Sequence, residues 1–199
     1  MTDKIFSRFQ DLKYKIQILK NKNKNIVLCH GVFDVLHYGH VLHFNEAKKF
    51  GDILIVSVTS DKFVNKGPNR PIFKLETRMK MLSSIKSIDY VVANNDQTPI
   101  NLIKTLKPNI YCKGKDYINN KKDITGNIRK EIKAIKSVGG KIHYSSTELM
   151  SSSKIINQTN LNLDTKQQKF INKIKSYNLF NSNEKISSVF KKFENLKVL

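Results

Sequence analysis

Residues 26–40 read Ile26-Val27-Leu28-Cys29-His30-Gly31-Val32-Phe33-Asp34-Val35-Leu36-His37-Tyr38-Gly39-His40. The opening run IVLC is continuous and apolar, as a strand buried on both faces of a parallel sheet is. A loop with Gly31 and Asp34 follows, and residues 39–50 read as a helix. In an open α/β sheet, ligands bind beyond the carboxyl ends of the strands. A helix that opens there aims its free N–H groups and the positive end of its dipole at the bound group. His37 and His40 are three apart, so both project from one side of the first turn. Two imidazole donors at a helix start suit an anion that gains charge in a transition state. Gly31 and Gly39 let backbone or ligand approach closely.

The same alternation continues outward. ILIVSV (53–58) is a second buried strand, with weaker strands at DYVVA (89–93), IYC (110–112) and KIHYS (141–145). Helical stretches lie between them near 75–86, 98–107 and 126–137, the last stopped by Gly139-Gly140. Five strands alternating with helices predict a parallel α/β sheet. Ile5, Phe9, Leu12, Ile16 and Leu19 recur at helical spacing, so residues 4–20 read as a leading amphipathic helix. Beyond SSSKIIN (151–157), residues 160–199 contain no Gly or Pro and read as two amphipathic helices, near 164–177 and 183–194. The expected organisation is an N-terminal appendage (1–25), a core domain (26–158) and a helical tail or linker (159–199).

Composition bounds the function. The chain has 199 residues and a formal net charge of +20. No stretch approaches the ~18 apolar residues of a membrane span. The opening MTDKIFSRFQDLKYK lacks a secretory layout, so Cys29 and Cys112 are expected as reduced thiols in a cytosolic protein. The charge invites a nucleic-acid reading. Yet it comes from 32 Lys and only 4 Arg, and Arg is the residue that reads guanine edges and clamps phosphates. It is also spread: +5 over 1–25, +9 over 26–153 and +6 over 154–199. A solvated basic surface is the favoured reading, with a basic nucleic-acid-binding domain as the alternative of another class.

GVFDVLHYGH followed by a helix resembles the H-x-G-H signature of the nucleotidylyltransferase superfamily. The resemblance implies a Rossmann-like α/β fold and transfer of a nucleotidyl group to a phosphorylated acceptor, with release of pyrophosphate. GDILIVSVTSD (51–61) is similar to the family's second strand, and LETRMKML (75–82) to its E-x-R-x-x-x-L helix. KPNIYCKGKDY (107–117) resembles the K-P-D-x-x-x-K-G-x-D-Y segment of the adenylyltransferase domain of ADP-heptose synthases, as do VGGKIHY (138–144) and SSSKII (151–156). Glycerol-3-phosphate and choline-phosphate cytidylyltransferases carry an Arg before the last helix, whereas residues 146–153 here read STELMSSS. The resemblance therefore favours AMP transfer from ATP (or CMP from CTP) to a sugar 1-phosphate, with heptose 1-phosphate foremost. A CTP-dependent enzyme acting on a polyol phosphate is the alternative.

The resemblance also assigns roles. His37 and His40 would meet triphosphate oxygens, His40 nearest the α-phosphate. Lys66, with Lys62 as fallback, would neutralise phosphates from a loop, and Arg78 would hold the pyrophosphate end. Nucleotide contacts are expected from Gly31, Val32, Phe33, Asp34, Gly39, Asp116, Tyr117, Ser151, Ser152 and Ser153. For Asp34, fixing the turn and orienting the ligand weigh equally. Mg²⁺ would travel with ATP or CTP, since it keeps waters and uses substrate oxygens; no protein-held metal is expected. His30, His37, His40 and His43 beside Cys29 do raise a zinc reading, but H-E-x-x-H is absent. The long segment 116–140 resembles a group in which the transferase precedes a ribokinase-type sugar kinase, and LKVL (196–199) reads as the first strand of one. A homodimer or a fused sugar kinase is the expected partner.

Overall fold

The computed structural model describes residues 4–66, 70–117 and 127–146, apart from the Asp116 side chain. The elements, in order, are β1 (Ile5–Phe6), α1 (Phe9–Asn21), β2 (Ile26–Gly31), α2 (Tyr38–Lys48), β3 (Ile53–Thr59), α3 (Leu75–Ser83), β4 (Tyr90–Asn94), α4 (Ile100–Leu106), β5 (Ile110–Gly114), α5 (Asn127–Ser137) and β6 (Lys141–Ser145). Single 3₁₀ turns follow β3 at Asp61–Phe63 and β5 at Lys115–Tyr117. The tail helices, Ser151, Ser152, Ser153 and LKVL lie outside the described residues.

All strand pairs are parallel, in the order β1-β4-β3-β2-β5-β6. The five strands read from the sequence are all present. The sheet has six, however, because Ile5–Phe6 pairs with Val91 and Val92 on the open edge of β4. The helical spacing of Ile5 with Phe9 misleads here. A β-branched and an aromatic residue meet an unpaired strand edge, Phe6 packs edge-on against Tyr90, and the helix starts only after Arg8.

Successive residues of β2 point to opposite faces, and both faces are covered. Val27 and Cys29 pack with Phe44 and Ala47 of α2 and Met79 and Leu82 of α3. Ile26 and Leu28 pack with Leu12 and Ile16 of α1, Leu102 and Leu106 of α4, and Ile135 of α5. Burial on two sides is why these strands are runs of Ile, Val and Leu rather than alternating patterns. Helix ends follow local chemistry. α3 stops at Ser83, where the hydroxyls of Ser83 and Ser84 both take the Lys80 carbonyl. α4 ends at left-handed Lys107, before Pro108.

Strand order sets the position of any site. From β2 the chain moves to β3 and β4 on one side, then returns to β5 on the other. The reversal lies between β2 and β5, and the crevice beyond their carboxyl ends is where such sheets bind ligands.

Candidate active site at the strand reversal

β2 ends at Gly31, and the chain turns through Phe33 with a positive φ of 50°. Phe33 folds its ring back over Gly31. A Cβ on Gly31 would sit 2.9 Å from that ring's tip, so any side chain there would force the phenyl ring to shift. The ring also meets His40 edge-on, at 5.5 Å between centroids. Phe33 is thus the wall on which His40 rests. Gly39 is buried in the first turn of α2.

His37 precedes α2 with extended backbone, and its ring lies 3.9 Å from that of His40 between centroids, tilted by 34°. The His37 amide donates to His40 Nδ1 at 3.3 Å. An amide can only donate, so Nδ1 accepts, and the neutral His40 ring carries its proton on Nε2. Burial, then the charges of His37, His43 and Lys66, push the His40 pKa down to about 3. His40 is therefore a neutral donor through Nε2 at physiological pH. Burial also lowers His37. Both ring nitrogens of His37 are buried without a hydrogen-bond partner among the described residues. Unsatisfied buried nitrogens are costly and mark a place where another polar group belongs.

Lys66 is exposed and close enough for its charge to act on His40, as its assigned role needs. Lys62 instead lies over the Phe63 ring. Residues 67–69 of the loop are outside the described set.

Arg78, expected at the pyrophosphate end, has its guanidinium taken up by protein groups. It is fully buried, and its guanidinium donates to the carbonyls of Phe73, Val32 and Thr59 and to Asp61 Oδ1 at 2.6 Å. It ties α3 to the ends of β2 and β3 from behind. For Asp34 the structure favours turn-fixing. Its carboxylate takes Arg70 Nε at 2.5 Å and the Ile72 and Phe73 amides at 2.7 and 3.1 Å, and only 1% of its side chain is exposed.

Between β5 and α5 lies a polar network that the sequence reading passed over. Lys113 pairs with Glu131 at 3.1 Å, both almost fully buried, and the Tyr111 hydroxyl donates to the same Glu131 oxygen at 2.8 Å. Lys113 also lies over the ring of Tyr117, at 4.5 Å. Burial works to lower the Lys113 pKa, but Glu131 and Tyr117 outweigh it and hold the ammonium charged. Lys113 is the first residue of the K-G-x-D-Y string. Its partner gave one signal, as the sole acid in the helix NIRKEIKAIKS. Asp116 stands in the 3₁₀ turn after β5.

Two more contacts were not foreseen. His30, half-buried near the end of β2, meets the Ser57 hydroxyl through Nδ1 at 3.1 Å, and desolvation followed by the Lys113 charge lowers its pKa to about 3. Glu46 of α2 accepts the Ser146 amide at 2.9 Å and its hydroxyl at 3.2 Å, fastening the motif helix to the end of β6. Burial works to raise Glu46, but these bonds and His143 win and lower it.

No helix among the described residues is long and apolar enough to cross a membrane.

Comparison with known proteins agrees with this geometry. Residues 28–158 match the cytidylyltransferase-like family. The Bifunctional protein HldE of Campylobacter fetus subsp. fetus is 44% identical over 120 residues, covering 59% of this chain and 26% of that protein. The namesake from a Nitratiruptor species is 39% identical over 153 residues, covering 76% of this chain and 33% of its own. The chain thus spans about a quarter to a third of the curated relatives it matches. A lipopolysaccharide core biosynthesis protein from Thermoplasma volcanium superposes with a TM-score of 0.51 at 26% identity, covering 63% of this chain and 99% of that one. Pantoate-beta-alanine ligase from Francisella tularensis shares the fold, with a TM-score of 0.56 at 18% identity over 86% of this chain and 77% of its own. With the match covering most of the chain and its H-x-G-H helix at the strand reversal, the protein belongs to the cytidylyltransferase-like family of nucleotidyltransferases.

Proposed function

We propose that the protein transfers AMP from ATP to a sugar 1-phosphate, heptose 1-phosphate foremost, and releases pyrophosphate. The observation that carries the reading is the His37–His40 ring pair at the start of α2, with His40 neutral and its Nε2–H available to hydrogen-bond an anion. The acceptor's phosphate oxygen attacks the α-phosphorus in line. The new P–O bond forms as the bond to the β-phosphate bridging oxygen breaks, and pyrophosphate leaves with that electron pair. A phosphate monoester is already anionic, so alignment and charge stabilisation carry the catalysis. His40 donates to an α-phosphate oxygen and His37 to the neighbouring phosphates, while Lys66 adds charge from its loop. Arg78 and Asp34 position the β2 turn. Asp116, Tyr117, Ser151, Ser152 and Ser153 are assigned to the nucleotide.

Mg²⁺ arrives on the triphosphate. The donors around the start of α2 are imidazoles and amides. The nearby carboxylates of Asp34 and Asp61 are already bound to Arg70 and Arg78. That set fits phosphate oxygens better than a dedicated magnesium cage. ATP is favoured by K-G-x-D-Y and by the HldE relatives. Those relatives are named bifunctional and extend well beyond the match, which supports a sugar kinase as the second activity, in the same polypeptide or a partner.

The test is a pyrophosphate-release screen of ATP, CTP, GTP and UTP against sugar 1-phosphates and polyol phosphates. Release with ATP and a sugar 1-phosphate is expected. Release only with CTP and a polyol phosphate would replace the reading, and silence from a folded protein would end it.

A further inference from the structure

Cys29 and Cys112 face each other across the β2–β5 reversal, in direct register, and both are almost fully buried. Their side chains lie on the sheet face covered by α2. From that helix His43 reaches the same spot. The two sulfurs and one imidazole nitrogen lie within 4.8 Å of one another, and these are the residues among those described that meet this way. Buried cysteines alone behave as small apolar groups. A histidine aimed at them from a third element is different, because imidazole is polar and a poor filler for an apolar core. Its ring is also steadied from outside: His43 Nδ1 lies 2.8 Å from the Ser145 hydroxyl at the end of β6. Metal-bound histidines are commonly held through their second nitrogen in this way.

We propose that Cys29, Cys112 and His43 form a buried zinc site that pins the H-x-G-H helix to the two strands flanking the reversal. Two thiolates, a neutral imidazole and Zn²⁺ sum to zero charge, which suits a site whose two sulfurs are buried and whose histidine is half-buried. Binding releases the two thiol protons to solvent and needs no oxidant. Zinc bonds of roughly 2.3 Å to sulfur and 2.0 Å to nitrogen place tetrahedral donors about 3.5–3.8 Å apart. Closure from the observed spacing is thus about 1 Å. His43 coordinates through Nε2 while Nδ1–H is given to Ser145. The fourth position falls to a solvent oxygen. A soft, sulfur-rich set disfavours Mg²⁺ and Ca²⁺. His43 is one turn beyond His40, so the ion would fix the height and rotation of the helix that presents His37 and His40.

The test uses the whole chain, purified under reducing conditions and stripped with chelator. Titration with Co²⁺ is expected to give a thiolate-to-cobalt charge-transfer band saturating at one equivalent and bleached by Zn²⁺. Zinc should also raise the melting temperature. Cys112→Val should abolish the band, while His37→Ala with His40→Ala should leave it intact. Should Cys112→Val fail to fold, X-ray absorption of the zinc-loaded native chain decides: two sulfurs in the first shell support the site, and nitrogen and oxygen alone overturn it. A folded native chain with no cobalt band, or a band that survives Cys112→Val, likewise overturns it.

Discussion

His40 owes its chemistry to three neighbours. The His37 amide fixes its tautomer, Phe33 supplies its wall, and burial keeps it uncharged. Removing one such preorganised donor costs about 10²–10³ in rate. His40→Ala is therefore expected to lower kcat by that factor while shifting nucleotide Kd far less, as single-turnover kinetics beside calorimetric titration would show. Arg78 carries the opposite expectation. Three backbone carbonyls and Asp61 depend on it, and each orphaned buried acceptor costs about 1–3 kcal/mol. Arg78→Ala should lose roughly 3 kcal/mol or more of folding stability in a urea titration. A variant of native stability with a raised KM would return Arg78 to direct phosphate contact. Both histidines of the motif were legible, because a three-residue spacing at a strand–helix junction has one geometric reading. Arg78 was legible as a candidate, but not where its guanidinium lies. Letters on a helix do not tell whether a guanidinium points into the site or behind it; only the position of Val32, Thr59 and Phe73 does.

The end of β2 and the loop at 70–73 are joined by the Asp34 carboxylate, a buried ion pair with two amides added. Breaking one partner of such a pair costs about 3–5 kcal/mol. Asp34→Ala should thus melt well below the native chain and raise proteolysis of the 66–74 segment, where mass spectrometry can locate the cuts. β2 and the start of α2 also set a pH response. His30 and His40 are held at about 3, below the ordinary value of 6.5, so the unfolded chain binds more protons between those limits. Stability is expected to be complete above about pH 6.5 and to fall as pH drops toward 3. His30→Gln should flatten part of that slope in denaturant titrations across the window. β2 and β3 could be read as strands because two-sided burial writes itself as unbroken Ile, Val and Leu, while β4, β5 and β6 were weaker signals read from their alternation with helices. β1 could not, since two residues carry no period and their pairing depends on an edge built some 85 residues later.

Across the molecule, the charge of +20 gains a limited meaning. Among the described residues, Lys66 is the lysine placed by the His40 interaction, and Lys113 is consumed by Glu131. The rest of the basic surface can speed the approach of an anionic substrate, an effect that salt screens within about 10 Å at 0.1 M. Raising ionic strength is expected to lower kcat/KM for the nucleotide and leave kcat unchanged in steady-state assays. A steep salt dependence of duplex or RNA binding, with a slope of several ions, would instead favour the nucleic-acid reading.

The parallel sheet also dictates an order of assembly. The motif strand β2 gains its first neighbour, β3, within 30 residues, but its second, β5, comes from residues 110–114. Contacts that distant in sequence form late and slowly. During synthesis, the His37–His40 helix can therefore be present while the crevice it serves is still open on one side. Nucleotide affinity should appear only once β5 and β6 have left the ribosome, which makes ligand capture a reporter of completed folding.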